Sequence, residues 1–240
     1  DGLTVGLNVL TYATGREPKG KEESFQTPLE QDLVNTHGSR GVIERLKLRH
    51  GGGCNDAPGA LANLLRTAAQ GELQLRIRTD APLVGIELER LQRYHLVFMH
   101  GRHDFRFTPA EREALRTYLE RGGMLLVDAI CASKSFVSAF RREMQLVLPE
   151  HSLVAVPGDD DIWTPEYGGF DVRRVTLRDP RPTGDNQPIV ARQRQSQPQL
   201  EGVKLADRWA VIFSPLDISC ALEKHESVQC RGYTREDAAR

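Results

Sequence analysis

Apolar residues along this chain change their spacing from segment to segment, and each spacing dictates an element. In VIERLKLRH, residues 42–50, they alternate, which turns Leu46 and Leu48 to one side of a strand before Gly51, Gly52 and Gly53 break it. Asp56 and Pro58 then open a helix with the stripe Leu61, Leu64, Leu65 and Ala68. LQLRIR, residues 73–78, predicts a further strand. HLVFM, residues 95–99, is the short, nearly unbroken apolar run required of a parallel strand covered on both faces. Thr108, Pro109 and Glu111 form a capping box with proline at the first helical position, and the helix they start ends at Gly122. MLLVDAI, residues 124–130, is the next buried strand, Phe136, Phe140 and Met144 mark another helical stripe, and LVAVP closes the unit.

The last third changes character. FDVRRVTL is followed by a proline-rich loop over residues 180–198, and EGVKLADRWAVIFS predicts a hairpin turning near Asp207. At the amino end, Leu3, Leu7 and Leu10 lie on one helical stripe that Gly15 terminates, with no start signal before it, and residues 16–39 are polar enough to be a linker. At the other end, Thr234 and Asp237 start a helix that the sequence does not finish. The first two thirds predict a doubly wound parallel sheet with an antiparallel hairpin added near one edge.

Length and charge narrow the function. The 240 residues suit one principal α/β core, and 32 basic against 33 acidic residues leave a net charge of -1, so no global field favours nucleic acid or an anionic membrane. No apolar run approaches the ~20 residues needed to span a bilayer. The chain starts at Asp1 without a leader, which points to a soluble domain processed or excised from a larger protein. Cys54, Cys131, Cys220 and Cys230 do not amount to a disulfide framework and do not fix the compartment; in an exported protein Cys220 and Cys230 are free to pair.

Ligands of open parallel sheets bind beyond the carboxyl ends of the strands, and every unusual polar cluster here follows such an end. After the first strand come His50, the three glycines, Cys54 and Asn55, either an anion cradle or a tight turn with a buried histidine. After HLVFM come His100, Arg102, His103 and Asp104, a ligand or proton-transfer group or simply a solvated loop, with His100 nearest the strand. Ala129, Cys131 and Ser133 give the small-x-nucleophile-x-small spacing of an elbow, where a following helix lowers the thiol pKa; the competing reading is a buried structural thiol. Farther on lie Asp217, Cys220, Glu223, His225 and Cys230. His225 could serve Cys131 as a base, oriented by Glu223 or Asp217, while Cys220, His225 and Cys230 match no standard zinc spacing, so neither a metal nor a cofactor is indicated.

LKLRHGGGCNDAPGALANLL, FMHGRHDFRFT, LERGGMLLVDAICASKSFVSAFRRE, QLEGVKLADRWAVIFSPLDISCALEKH and CRGYTREDAAR together resemble the bacterial domain-of-unknown-function family 4159, related to ThuA-like and class I glutamine amidotransferase-like domains. The resemblance covers residues 40–240 and implies a flavodoxin-like three-layer sandwich, without an established activity. It carries over His50 and its glycines, His100, Gly101 and Arg102, Asp128, Cys131, Phe136, Phe140 and Arg141, then Cys220, Glu223, His225, Cys230, Gly232 and Tyr233. Amidotransferases follow their nucleophile with a downstream His-x-Glu; here the order is Glu223-x-His225 and the elbow glycines are missing, which argues against a glutaminase triad. The resemblance also makes residues 1–39 the tail of a preceding tandem copy and the helix at the carboxyl end truncated, so residues 3–13 should form a helix covering the exposed face, in this chain or by exchange with a second molecule.

Three functions follow: a small-molecule binding or regulatory module whose pocket uses His50, Asn55, His100, Arg102 and Asp217; a cysteine-dependent hydrolase or transferase using Cys131, His225 and Glu223; and a structural thiol or metal cluster of Cys220, His225 and Cys230.

Overall fold

A computed structural model describes residues 2–15, 45–70, 82–167, 169–182, 189–223 and 229–234. In chain order its elements begin with α1 (Gly2–Gly15), β1 (Arg45–Leu48), α2 (Ala60–Gln70), β2 (Leu83–Val84), α3 (Leu88–Leu91), β3 (Leu96–Gly101), α4 (Pro109–Glu120) and β4 (Met124–Ala129). They continue with α5 (Lys134–Val147), β5 (Val154–Ala155), β6 (Val175–Pro182), β7 (Ile189–Ser196), β8 (Glu201–Leu205), β9 (Arg208–Ser214), α6 (Ser219–Leu222) and β10 (Gly232–Tyr233). The strand expected at 73–78, the linker at 16–39 and the helix expected after Thr234 fall outside the described residues.

The chain is mixed α/β, built on a seven-stranded sheet in the order β2-β1-β3-β4-β9-β8-β5. Its first five strands are parallel, and β8 and β5 each run antiparallel to the neighbour before them. Alternation along the strands feeds two cores, one on each face. Leu96, Phe98, Met124, Leu126 and Ile212 meet Leu61, Leu64 and Leu65 of α2 and Val5, Val9 and Leu10 of α1. Leu46, Leu48, Val97, Val127 and Phe213 meet Leu115 of α4 and Phe136, Phe140 and Met144 of α5. Each such side chain contributes roughly 1.5–3 kcal/mol on leaving water. Helix α4 starts where its local signals place it, since Thr108 accepts the Glu111 amide and the Glu111 carboxylate accepts the Thr108 amide. Among the described residues no helix is long and apolar enough to cross a membrane.

Helix α1 docks on its own chain. Leu7 and Leu10 are buried, Asn8 donates to the carbonyls of Ile162 and Phe170 and accepts the Phe170 amide, and the Tyr12 hydroxyl accepts the Trp209 amide.

The proline-rich segment is a correction to the sequence expectation. Instead of a loop over 180–198, Ile189–Ser196 forms β7 and pairs along the whole of β6, with Val175 opposite Ser196 and Pro182 opposite Ile189. Pro180 and Pro182 are two apart, so the N–H groups they lack would both point to the same side of β6. The neighbour on that side, β10, pairs only with Leu177 and Arg178, so no ladder bond is lost there.

Candidate functional site

The last inward positions of three adjacent strands are polar. His100, Asp128 and Ser214 face one another in register across β3, β4 and β9, one step beyond the apolar residues Phe98, Leu126 and Ile212 on the same face. All three are fully buried, and the chain after β9 folds over them. The Asp128 carboxylate accepts the amides of Ile218 and Ser219, at 2.8 and 2.9 Å, which fixes the entry to α6. Asp217 is buried beside it and accepts the amides of Cys131, at 2.8 Å, and Cys220, at 3.3 Å. The Arg178 guanidinium of β6 lies 3.8 Å from the Asp217 carboxylate and donates to the Tyr233 carbonyl. Burial, and then the neighbouring Asp217 carboxylate, push Asp128 up to about 8; burial also raises Asp217.

Cys131 stands directly beyond β4 in a left-handed backbone, with φ of 54° at Cys131 and 52° at Ala132. Two successive non-glycine residues in this region are strained, and the Asp217 carboxylate on the Cys131 amide helps to hold them there. The elbow spacing read from Ala129, Cys131 and Ser133 thus falls on an actual turn, but α5 starts only at Lys134, with Ser133 as its N-cap.

Three sulfurs converge at this turn. Cys131 is bonded to Cys230, 99 residues away, and the Cys220 thiol lies 3.7 Å from the Cys131 sulfur and 3.4 Å from the Cys230 sulfur. The sequence left Cys220 and Cys230 open to pairing, metal binding or neither; the structure bonds Cys131 to Cys230 and leaves Cys220 as a free thiol. The reason is tertiary. Residues 231–233 run back against Asp217, whose amide donates to the Arg231 carbonyl and whose carbonyl accepts the Tyr233 amide. A Cβ on Gly232 would run into the Asp217 backbone, so glycine permits the approach that brings Cys230 over the turn. Burial, and then the Asp217 carboxylate, raise the Cys220 pKa well above the ordinary thiol range.

The two histidines expected to line a ligand pocket, His50 and His100, have both ring nitrogens engaged within the fold. Nδ1 of His50 accepts the Gly52 amide, so its Nε2 carries the proton donated to the His100 carbonyl. Nε2 of His100 faces the Cys54 carbonyl and must donate, so its Nδ1 accepts the Ser219 hydroxyl. Burial pushes His50 down to about 4 and His100 to about 3, and both are neutral at pH 7. They knit the loops after β1 and β3 to α6, together with the Gly52 carbonyl, which accepts the amides of Arg102 and His103.

Of the remaining expected residues, Asn55 accepts from Lys47 at 3.4 Å, and Arg102 and His103 are exposed around Asp56, at 3.9 and 3.5 Å. Glu223 faces α2, accepting the Gly59 amide at 3.0 Å, and it is Asp217 that reaches Cys131. His225 lies outside the described residues. The sequence reading overlooked Lys47, Arg178, Ser214 and Ser219. Lys47 and Ser214 carried a signal, a polar side chain at a core-facing strand position; Arg178 and Ser219 carried none.

A cavity of about 310 Å3 lies elsewhere, beside the β8–β9 turn at the amino end of β9, lined by Tyr12, Asp160, Tyr167, Lys204, Asp207 and Trp209. No curated protein matches the chain in sequence. The profile of the family described as Domain of unknown function (DUF4159) matches residues 43–240, so the chain belongs to that family.

Proposed function

We propose that this chain is an amidotransferase-like domain of the ThuA-like kind that works as a binding or regulatory module without glutaminase activity, and that its working part is thiol–disulfide exchange among Cys131, Cys220 and Cys230. One observation carries this reading: a free thiol, Cys220, lies 3.7 and 3.4 Å from the two sulfurs of an existing disulfide. In the exchange the Cys220 thiolate attacks the Cys230 sulfur, a Cys220–Cys230 bond forms, and the electron pair of the broken bond leaves on Cys131, which takes up the proton that Cys220 lost. No net oxidation occurs. Because burial and Asp217 hold Cys220 protonated, exchange is slow until a cation or a ligand relieves that charge, which is the property wanted of a regulated bond.

The parallel strands, taken in the order they leave the chain, are arranged 2-1-3-4-5, the order of flavodoxin-like sheets. The switch point of that order lies between β1 and β3, where Asn55, Asp56, Arg102 and His103 stand at the surface, and their exposed polar groups suit a small polar ligand. The alternative of Cys131 as a hydrolase nucleophile requires the Cys131–Cys230 bond to open first. In the proposed reading α1 belongs to the tail of a preceding copy and supplies cover to this domain, with Val5, Val9 and Leu10 in its core.

The test is Cys131→Ser in the full chain, oxidised in air, trapped by alkylation and mapped by peptide mass spectrometry. A Cys220–Cys230 bond in this variant, with no glutamine hydrolysis by the parent chain, supports the reading. A Cys230 that stays fully alkylated refutes it.

A further inference from the structure

We propose that in its reduced form the Cys131, Cys220 and Cys230 group is a three-thiolate site for one soft divalent cation of the zinc class. The proposal rests on the reading above that the Cys131–Cys230 bond opens reversibly. The sulfurs of all three cysteines lie within 4.8 Å of one another. Cys220 stands 3.7 and 3.4 Å from the other two, near the roughly 3.8 Å edge of a tetrahedron with metal–sulfur bonds of about 2.3 Å. The three ligands come from segments far apart in sequence, and Asp217 orients them together. Its carboxylate takes the Cys131 and Cys220 amides, while its own backbone brackets the Arg231–Tyr233 segment that delivers Cys230. Outer hydrogen bonds that orient the ligands are a recurrent feature of built metal sites, and here Asp217 makes them through the ligand-bearing backbone.

Thiolate donors select soft ions over magnesium or calcium. Cys230 is buried while Cys131 and Cys220 are half-buried, and the described residues gather three donors here, one fewer than a closed tetrahedral structural site. Binding releases the three thiol protons as the three sulfur–metal bonds form. The disulfide uses two of the three ligands, so the oxidised chain has no such site. Metal occupancy and the Cys131–Cys230 bond therefore exclude each other.

The full chain is reduced without oxygen by a water-soluble phosphine, which is converted to its oxide with oxygen from water while the two water hydrogens end on the Cys131 and Cys230 thiols. Cobalt(II) is then titrated in. The expected result is one cobalt per chain, with the sulfur-to-cobalt charge-transfer absorption and visible bands of tetrahedral cobalt, lost on adding zinc. The air-oxidised chain should give no such spectrum. Cys220→Ser should weaken cobalt binding by more than about a hundred-fold, because losing a ligand exceeds the loss of an outer partner, whereas Cys54→Ser should leave it unchanged. The absence of the thiolate spectrum from the reduced chain, its persistence in Cys220→Ser or its loss in Cys54→Ser would each overturn the proposal. Peptide mapping of the same samples separates the two ideas. A reversible Cys131–Cys230 bond without cobalt binding removes the metal site and keeps the exchange reading; cobalt binding with no disulfide on oxidation keeps the metal site and removes the exchange.

Discussion

Stability should peak near pH 6.5, because the buried histidines and the buried carboxylate pair pull in opposite directions. His50 and His100 have folded values depressed from 6.5 to about 4 and about 3, so their contribution is complete above 6.5 and is lost as pH falls toward those values. Asp128 is raised from 3.8 to about 8, so its contribution is complete below 3.8 and is lost as pH rises through 8. Each differential proton is worth about 1.4 kcal/mol per pH unit. With Asp128 as the carboxyl that titrates in this range, two histidines outweigh one carboxyl below 6.5, and the carboxyl dominates above it. Moving from pH 6.5 to about pH 5, or to about pH 8, should each cost about 1 kcal/mol. Urea unfolding of the oxidised chain across this range, with linear extrapolation, reads the quantity directly. Asp128→Asn should flatten the alkaline limb and steepen the acid limb, which the two histidines then set unopposed. Stability that stays flat or rises between 6.5 and 8 in the parent chain would refute the raised Asp128 carboxyl, and an acid limb that survives in a His50→Asn, His100→Asn double variant would refute the role given to the histidines.

Asn8→Ala removes three hydrogen bonds that tie α1 to the 162–170 segment and strands their backbone partners, so it should cost about 3 kcal/mol or more, read as a lower urea midpoint. Ala132→Gly relieves a left-handed alanine and should raise stability by about 0.5–1 kcal/mol, the strain of about 1–2 less the added chain entropy of glycine; a loss of stability in the same unfolding assay would contradict the strained turn. Glu143 is fully buried and receives Arg112, Arg142 and the Phe107 amide, so Glu143→Ala should cost about 3–5 kcal/mol and expose the 104–107 loop to protease.

What the sequence disclosed was local. The capping box of Thr108 and Glu111 and the apolar runs at 95–99 and 124–130 carry their meaning within a few residues, and they led to a mostly parallel sheet with helices. Strand β7 escaped because IVARQRQS is mostly exposed and its apolar alternation is short, while the prolines of β6 read as breakers until an open edge absorbs them. Cysteine pairing was not readable either, since the Cys131–Cys230 bond depends on residues 231–233 returning to Asp217. His100 shows the same limit. Its place at a strand end was legible, but whether it is a base or a brace depends on Ser219 and the Cys54 carbonyl filling both ring nitrogens.

The thiol centre is tested most directly by disulfide mapping of the unmodified full chain, alkylated in acid before digestion. The account predicts one linked pair, Cys131 with Cys230, with Cys54 and Cys220 both alkylated, and a growing share of Cys220–Cys230 when the chain is held at alkaline pH before quenching. A linkage that includes Cys54, or four alkylated cysteines in the air-oxidised protein, would contradict it.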